Sequence, residues 1–129
     1  MKISLLIITT ILVSCAQKNE VIENGNIITQ KELYLSRETN YKNEPEYFIN
    51  EYEGLNTTQN DRIHTIGKIN RGTLISFNRT ERKTDLYIGN STIYRGELVY
   101  RKKLYPYKAT FYDTDGNKYI KVTTVPQDD

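Results

Sequence analysis

The chain has 129 residues, with 18 Lys or Arg against 16 Asp or Glu and a formal net charge of +2. That length suits one small domain with a modest core. A single cysteine, Cys15, excludes an internal disulfide, and a lone histidine with no second cysteine leaves zinc without its usual ligands.

The chain opens on Lys2, followed by an apolar run from Ile3 to Val13 that only Ser4, Thr9 and Thr10 interrupt. The run is too short to span a hydrocarbon core, which needs about 20 apolar residues. A cation, a short apolar stretch and a small residue are the three parts of an export signal. The stretch Leu12-Val13-Ser14-Cys15 resembles the lipobox of bacterial lipoproteins. The resemblance implies that residues 1–14 are a signal peptide, removed before Cys15. The Cys15 thiol would carry lipid, because a thioether is the bond to the diacylglyceryl group. Two or more acyl chains hold a protein stably where one does not. The expected location is the cell envelope, with attachment to a membrane through Cys15. Ala16 in place of Asp favours the outer membrane in a Gram-negative cell.

Residues 15–27 are mostly polar and read as a tether. Residues 28–129 read as one β-domain. In Glu32 to Arg37, Leu33 and Leu35 alternate with Tyr34. Tyr47 to Tyr52 is aromatic and β-prone, and Gly54 to Asp61 reads as a loop. Ile63 to Ile69 reads as a strand, and Asn70-Arg71-Gly72 as a turn. Thr73 to Asn78 then sets Leu74 opposite Ile75 and Phe77. Arg79 to Thr84 reads as a charged turn, Asp85 to Gly89 as a short strand and Asn90-Ser91 as another turn. Thr92 to Arg101 is β-prone and interrupted by Gly96, a residue that marks bulges and bends. Tyr107 to Tyr112 and Lys118 to Val125 flank Asp113-Thr114-Asp115-Gly116-Asn117, and they are expected to form a β-hairpin on an Asp-Gly turn. The fold class is therefore all-β: a small antiparallel barrel or sandwich.

The eleven tyrosines and the charge distribution bear on function. From Cys15 to Asp61 there are four Lys or Arg against nine Asp or Glu. From Arg62 to Lys108 there are eleven against three. Either the acidic part lies against the basic part, or the basic part meets an anionic partner. Nucleic acid is not expected in an exported compartment. Arg101-Lys102-Lys103 stands just before Tyr105-Pro106-Tyr107, with Pro106 expected at a strand boundary. Cations beside aromatic rings recognise anionic glycans or carboxylates. Arg101, Lys102, Lys103, Tyr105 and Tyr107 are therefore candidate binding residues.

No catalytic constellation emerges. His64 lacks a nucleophile-elbow serine, and Cys15 is committed to lipid. Asp113-x-Asp115-Gly116-Asn117 resembles the start of a calcium loop but lacks the Glu at the twelfth position. Glu51 and Glu53 lie two apart and would share one strand face, as common acidic surface pairs do; the carboxylate separation that glycoside hydrolysis needs is not visible in sequence. No metal or cofactor is expected. Asn56, Asn78 and Asn90 head Asn-x-Ser/Thr triplets and read as turn residues.

The run Ile27 to Arg37, with Thr29, Leu33 and Leu35, resembles the opening of bacterial SH3-like domains. Ile66-Gly67-Lys68-Ile69-Asn70-Arg71-Gly72-Thr73-Leu74-Ile75 resembles their next strand, basic-Gly-Thr turn and strand. Tyr34 and Ser36 depart from the pattern, and the closing Gly-Trp-Val is missing. The resemblance implies a compact barrel without catalysis that acts at cell-wall peptides. Its groove would be lined by Tyr34, Tyr41, Tyr47 and the loop from Glu38 to Glu46. The function expected from all this is a non-enzymatic, lipid-anchored binding module for cell-wall material or a partner protein. The alternative is a lipoprotein inhibitor or immunity-type protein that blocks an enzyme or toxin.

Overall fold

The computed structural model describes residues 19–21, 24–52 and 63–124. Cys15 and its lipobox, Glu53, and the expected Gly54–Asp61 loop lie outside the described residues. Among the described residues ten strands run in chain order: β1 (Asn19–Val21), β2 (Gly25–Thr29), β3 (Leu33–Thr39), β4 (Pro45–Asn50), β5 (Ile63–Ile69), β6 (Leu74–Phe77), β7 (Arg79–Asp85), β8 (Gly89–Tyr100), β9 (Lys103–Tyr112) and β10 (Ile120–Thr124). A 3-10 turn, Asp113–Asp115, precedes β10. The residues read as tether thus include β1 and the start of β2.

The strands form a seven-stranded sheet, β1-β7-β8-β9-β4-β3-β5, and a three-stranded sheet, β10-β2-β6. Neither closes into a barrel, so the molecule is a small all-β sandwich. Pairing is antiparallel except between β4 and β9, which run parallel, with Tyr47 beside Tyr107 and Ile49 beside Ala109. Pro45 opens β4, and Pro106 lies inside β9 one residue before the parallel pairing begins at Tyr47–Tyr107, so neither proline falls among the residues paired between β4 and β9.

Strand alternation supplies the core. Ile27, Ile75, Phe77 and Ile120 of the small sheet pack with Leu33, Leu35, Ile49, Ile69, Leu98, Tyr105, Tyr107, Ala109 and Phe111 of the large one. Leu74 falls on the other face of β6 and is exposed. Thr29 ties the sheets' connections together: its hydroxyl donates to the Asn70 carbonyl at 2.8 Å and accepts from the Thr73 N–H at 2.9 Å. This fixes the Asn70–Gly72 turn, where Gly72 takes φ 84°.

The chain switches sheets at Asn78, whose N–H reaches the Arg95 carbonyl at 3.0 Å. The crossing needs Gly96: a Cβ there would stand 2.6 Å from the Ser76 carbonyl oxygen and 3.0 Å from Phe77 Cα. Beside it the buried Tyr107 hydroxyl donates to that same Ser76 carbonyl at 2.6 Å.

Four local expectations are corrected. Arg79 to Thr84 is not a turn but most of β7; its charged side chains are tolerated because it lies next to the sheet's edge strand. Asp85 to Gly89 is not one strand: Asp85 ends β7, Leu86 to Ile88 form the β7–β8 loop and Gly89 opens β8, which Asn90-Ser91 continue. Tyr107–Tyr112 and Lys118–Val125 do not form a hairpin. Both edges of β9 are already taken, by β8 and β4, so β10 crosses to the other sheet and pairs with β2. The two-residue hairpin turn is instead Arg101-Lys102, with φ 50° and 67°, closed by the Tyr100–Lys103 pair.

Candidate functional site

Strand register decides which expected contacts reach a surface. Tyr105 and Tyr107 point inward and are buried. Pro106 faces the other way, inside β9 rather than at its boundary. Arg101, Lys102 and Lys103 are exposed at the β8–β9 turn, with the Arg101 guanidinium 5.2 Å from the Tyr100 ring centre and the Lys103 ammonium 5.3 Å from that of Tyr105. The three cations therefore form a surface cluster, while the Tyr105 and Tyr107 rings expected to share that surface are turned into the core.

Tyr34, Tyr41 and Tyr47 do not converge either. Tyr47 packs on the core with its ring 5.0 Å from that of Tyr105. Tyr34 sits on the opposite face of the sheet, across from Asn50. Tyr41 stands exposed in the β3–β4 turn. The residues 38–46 are not a long loop over a groove but the end of β3, a tight turn and the start of β4. Asn40 caps that turn, its Oδ1 accepting from the Lys42 and Glu44 N–H groups at 2.9 and 3.0 Å.

The concave surface lies on the face of the large sheet turned away from the core. A groove of about 680 Å³ runs over β3, β4, β9 and β8 to the start of β7. Two rows of side chains line it. In the first, Arg79 pairs across to Arg95, Arg95 to Lys108 and Lys108 to Phe48; Ser36 lies across from Phe48, outside the groove lining. In the second, two residues nearer the Arg101-Lys102 turn, Glu97 faces Pro106 and Glu38 faces Glu46. Cations from the basic middle of the chain and acids from its first third thus share one groove.

Like charges directly opposite one another on a sheet destabilise it, so a row of three cations calls for counter-charge. Glu81 supplies part of it, 3.6 Å from Arg95. Lys108 is half-buried and has no acidic partner among the described residues. Two further polar atoms on this face, Ser36 Oγ and Asn50 Oδ1, are buried without a hydrogen-bond partner, and Asn50 lines the groove. Such atoms retain unused bonding capacity. The combination suits a ligand that brings a carboxylate or other anion to Lys108 and N–H or O–H donors to Asn50 and the acidic row.

His64 is exposed on β5, opposite Arg37, and Glu51 is half-buried just past β4. Among the described residues no group of three His, Cys, Asp or Glu side chains is arranged to hold a metal. Asp113 of the calcium-like stretch is engaged by Arg82 at 2.7 Å.

Sequence reasoning missed Arg79, Arg95, Lys108, Phe48 and the acids opposite them. Their only signal is cross-strand register, which no local pattern announces. Comparison with protein-family models, curated proteins and solved structures finds no match to the chain.

Proposed function

We propose that this protein is a lipid-anchored, non-enzymatic binding module of the bacterial cell envelope. It would be held to the membrane through lipid on Cys15, and in a Gram-negative cell Ala16 favours the outer membrane. Recognition of cell-wall material or of an extended segment of a partner protein is assigned to the groove on the large sheet. The observation that carries this reading is Lys108: a half-buried cation without an acidic partner among the described residues, set in a row with Arg79 and Arg95 and facing the row of Glu38, Glu46 and Glu97. Cell-wall peptides present carboxylates and amines close together, which matches two adjacent rows of opposite sign.

The test is sedimentation of the detergent-solubilised full-length protein with purified cell-wall sacculi, and separately its capture of envelope proteins. Lys108→Glu and Arg95→Glu are expected to weaken binding at least tenfold. Lys102→Glu, at the β8–β9 turn, should leave it within twofold. The reverse ranking would refute the groove as the site. Capture of one tight protein partner, with no sacculus binding, would move the inhibitor reading to first place.

A further inference from the structure

Among the described residues the two most exposed apolar side chains, Leu86 and Tyr87, are neighbours, and exposed Ile88 follows them. Leu86, Tyr87 and Ile88 form the three-residue loop between β7 and β8 and are 95, 97 and 57% exposed. The loop is preformed. Asp85 Oδ1 accepts the Tyr87 N–H at 2.8 Å and the Ile88 N–H at 3.2 Å, and Gly89 closes the loop at φ 100°. None of the three side chains belongs to the core.

Strand register fixes where this loop lies relative to Cys15. β1 runs antiparallel to β7, with Asn19 opposite Arg82. Going backward from Asn19 therefore leads toward the Asp85 end of β7. Cys15 is four residues before Asn19, a reach of at most about 14 Å. Leu86 is four residues beyond Arg82 in the same direction. The loop thus lies at the end of the sheet where β1 begins, and chain length keeps Cys15 within that reach of Asn19. The β8–β9 turn at Arg101-Lys102 and the β3–β4 turn at Tyr41 lie at the other end, because β4 runs parallel to β9.

We propose that Leu86, Tyr87 and Ile88 insert into the interfacial layer of the bilayer beside the lipidated cysteine. The proposal rests on the lipid-anchor reading. A tyrosine between two aliphatic side chains suits the headgroup boundary, and Lys83, two residues before Asp85, is exposed at the level of lipid phosphates. A loop this small binds a bilayer weakly by itself. Tethered through Cys15, it samples the surface at high effective concentration, so weak insertion is enough to orient the domain. Arg95 is six residues from Gly89 along β8, so the groove would stand roughly 20 Å above the lipid.

The chain contains no Trp, so Tyr87→Trp installs a single reporter. The full-length lipidated variant is reconstituted into phosphatidylethanolamine–phosphatidylglycerol vesicles with and without brominated acyl chains. Insertion predicts blue-shifted emission that bromolipid quenches by at least half, while Tyr41→Trp stays unquenched. Adding Leu86→Asn and Ile88→Asn should abolish quenching at position 87 and leave the protein attached. Water-like emission from position 87, equal quenching at position 41, or a blue shift without bromine quenching would overturn insertion, the last pointing to a protein partner. Mass analysis of the same sample separates the two levels: a lipidated Cys15 with no quenching overturns insertion alone, and an unlipidated Cys15 overturns the anchor and insertion together.

Discussion

Replacing Arg101-Lys102 by Asn-Gly is expected to stabilise the protein. The two residues form the whole loop between β8 and β9, and both have positive φ, 50° and 67°. A two-residue hairpin with positive φ at both positions is the geometry that Asn-Gly adopts most readily. An L-residue other than Gly, Asn or Asp costs about 1–2 kcal/mol in the left-handed region. Glycine removes that strain and returns about 0.5–1 kcal/mol through the entropy of the unfolded chain. Loss of the exposed contact between Arg101 and the Tyr100 ring returns about 0.5 kcal/mol more. With both positions relieved, the net gain is about 1 kcal/mol, or a Tm rise of about 4–8 °C for a domain of this size. Thermal unfolding followed by circular dichroism, on a Cys15→Ser background that carries no lipid, measures it. Arg101→Ala with Lys102→Ala is the control, because it removes the charges and keeps the strain. An unchanged Tm for Asn-Gly, or an equal rise for Ala-Ala, would refute backbone strain as the cause. The second result would assign the gain to repulsion among Arg101, Lys102 and Lys103.

Gly96→Ala should lower stability by about 1–3 kcal/mol, read as a fall in urea midpoint, because the new Cβ meets backbone atoms that cannot rotate away. Tyr107→Phe should cost about 1–2 kcal/mol at neutral pH by leaving the Ser76 carbonyl without its donor. Burial pushes the Tyr107 phenol well above its ordinary value of 10.0, so the fold favours the protonated form. That contribution is fully present below pH 10 and is lost as the pH rises further. The stability gap between the native protein and Tyr107→Phe should therefore hold from pH 7 to 9 and narrow above pH 10.

Much of the fold was legible where alternation and burial agree. Ile63–Ile69 is a strand over the span its pattern indicates, and Ile75 and Phe77 are buried where Leu74 is not. The failures share one cause: local chemistry was outweighed by which strand edges were free. Asp115-Gly116 is a sound turn pair, yet β9 had no edge left for a hairpin partner. Arg101-Lys102 looks nothing like a hairpin turn, yet the long β8–β9 pairing imposes one. Between Arg79 and Ser91 the strands and turns were read out of phase, because a charged strand resembles a loop and an apolar loop resembles a strand. Asp85 and Gly89 did carry the missed signal, an acceptor at the start and a left-handed glycine at the end. Tyr105 and Tyr107 were placed at the surface because composition says nothing about facing. The groove was beyond reach, since its floor joins Phe48, Lys108 and Arg95 through a parallel pairing between distant strands.

In-cell photo-crosslinking tests the binding groove most directly, with a benzophenone amino acid placed singly in the anchored full-length protein. Phe48, beside Lys108 in the groove floor, is the informative position, and Val99, exposed on the same sheet face nearer the β8–β9 turn, is the comparison. A ligand seated in the groove predicts one dominant adduct at Phe48 that Lys108→Glu abolishes. Adducts at Val99 with none at Phe48, or adducts at Phe48 that Lys108→Glu does not change, would contradict recognition through the cation row.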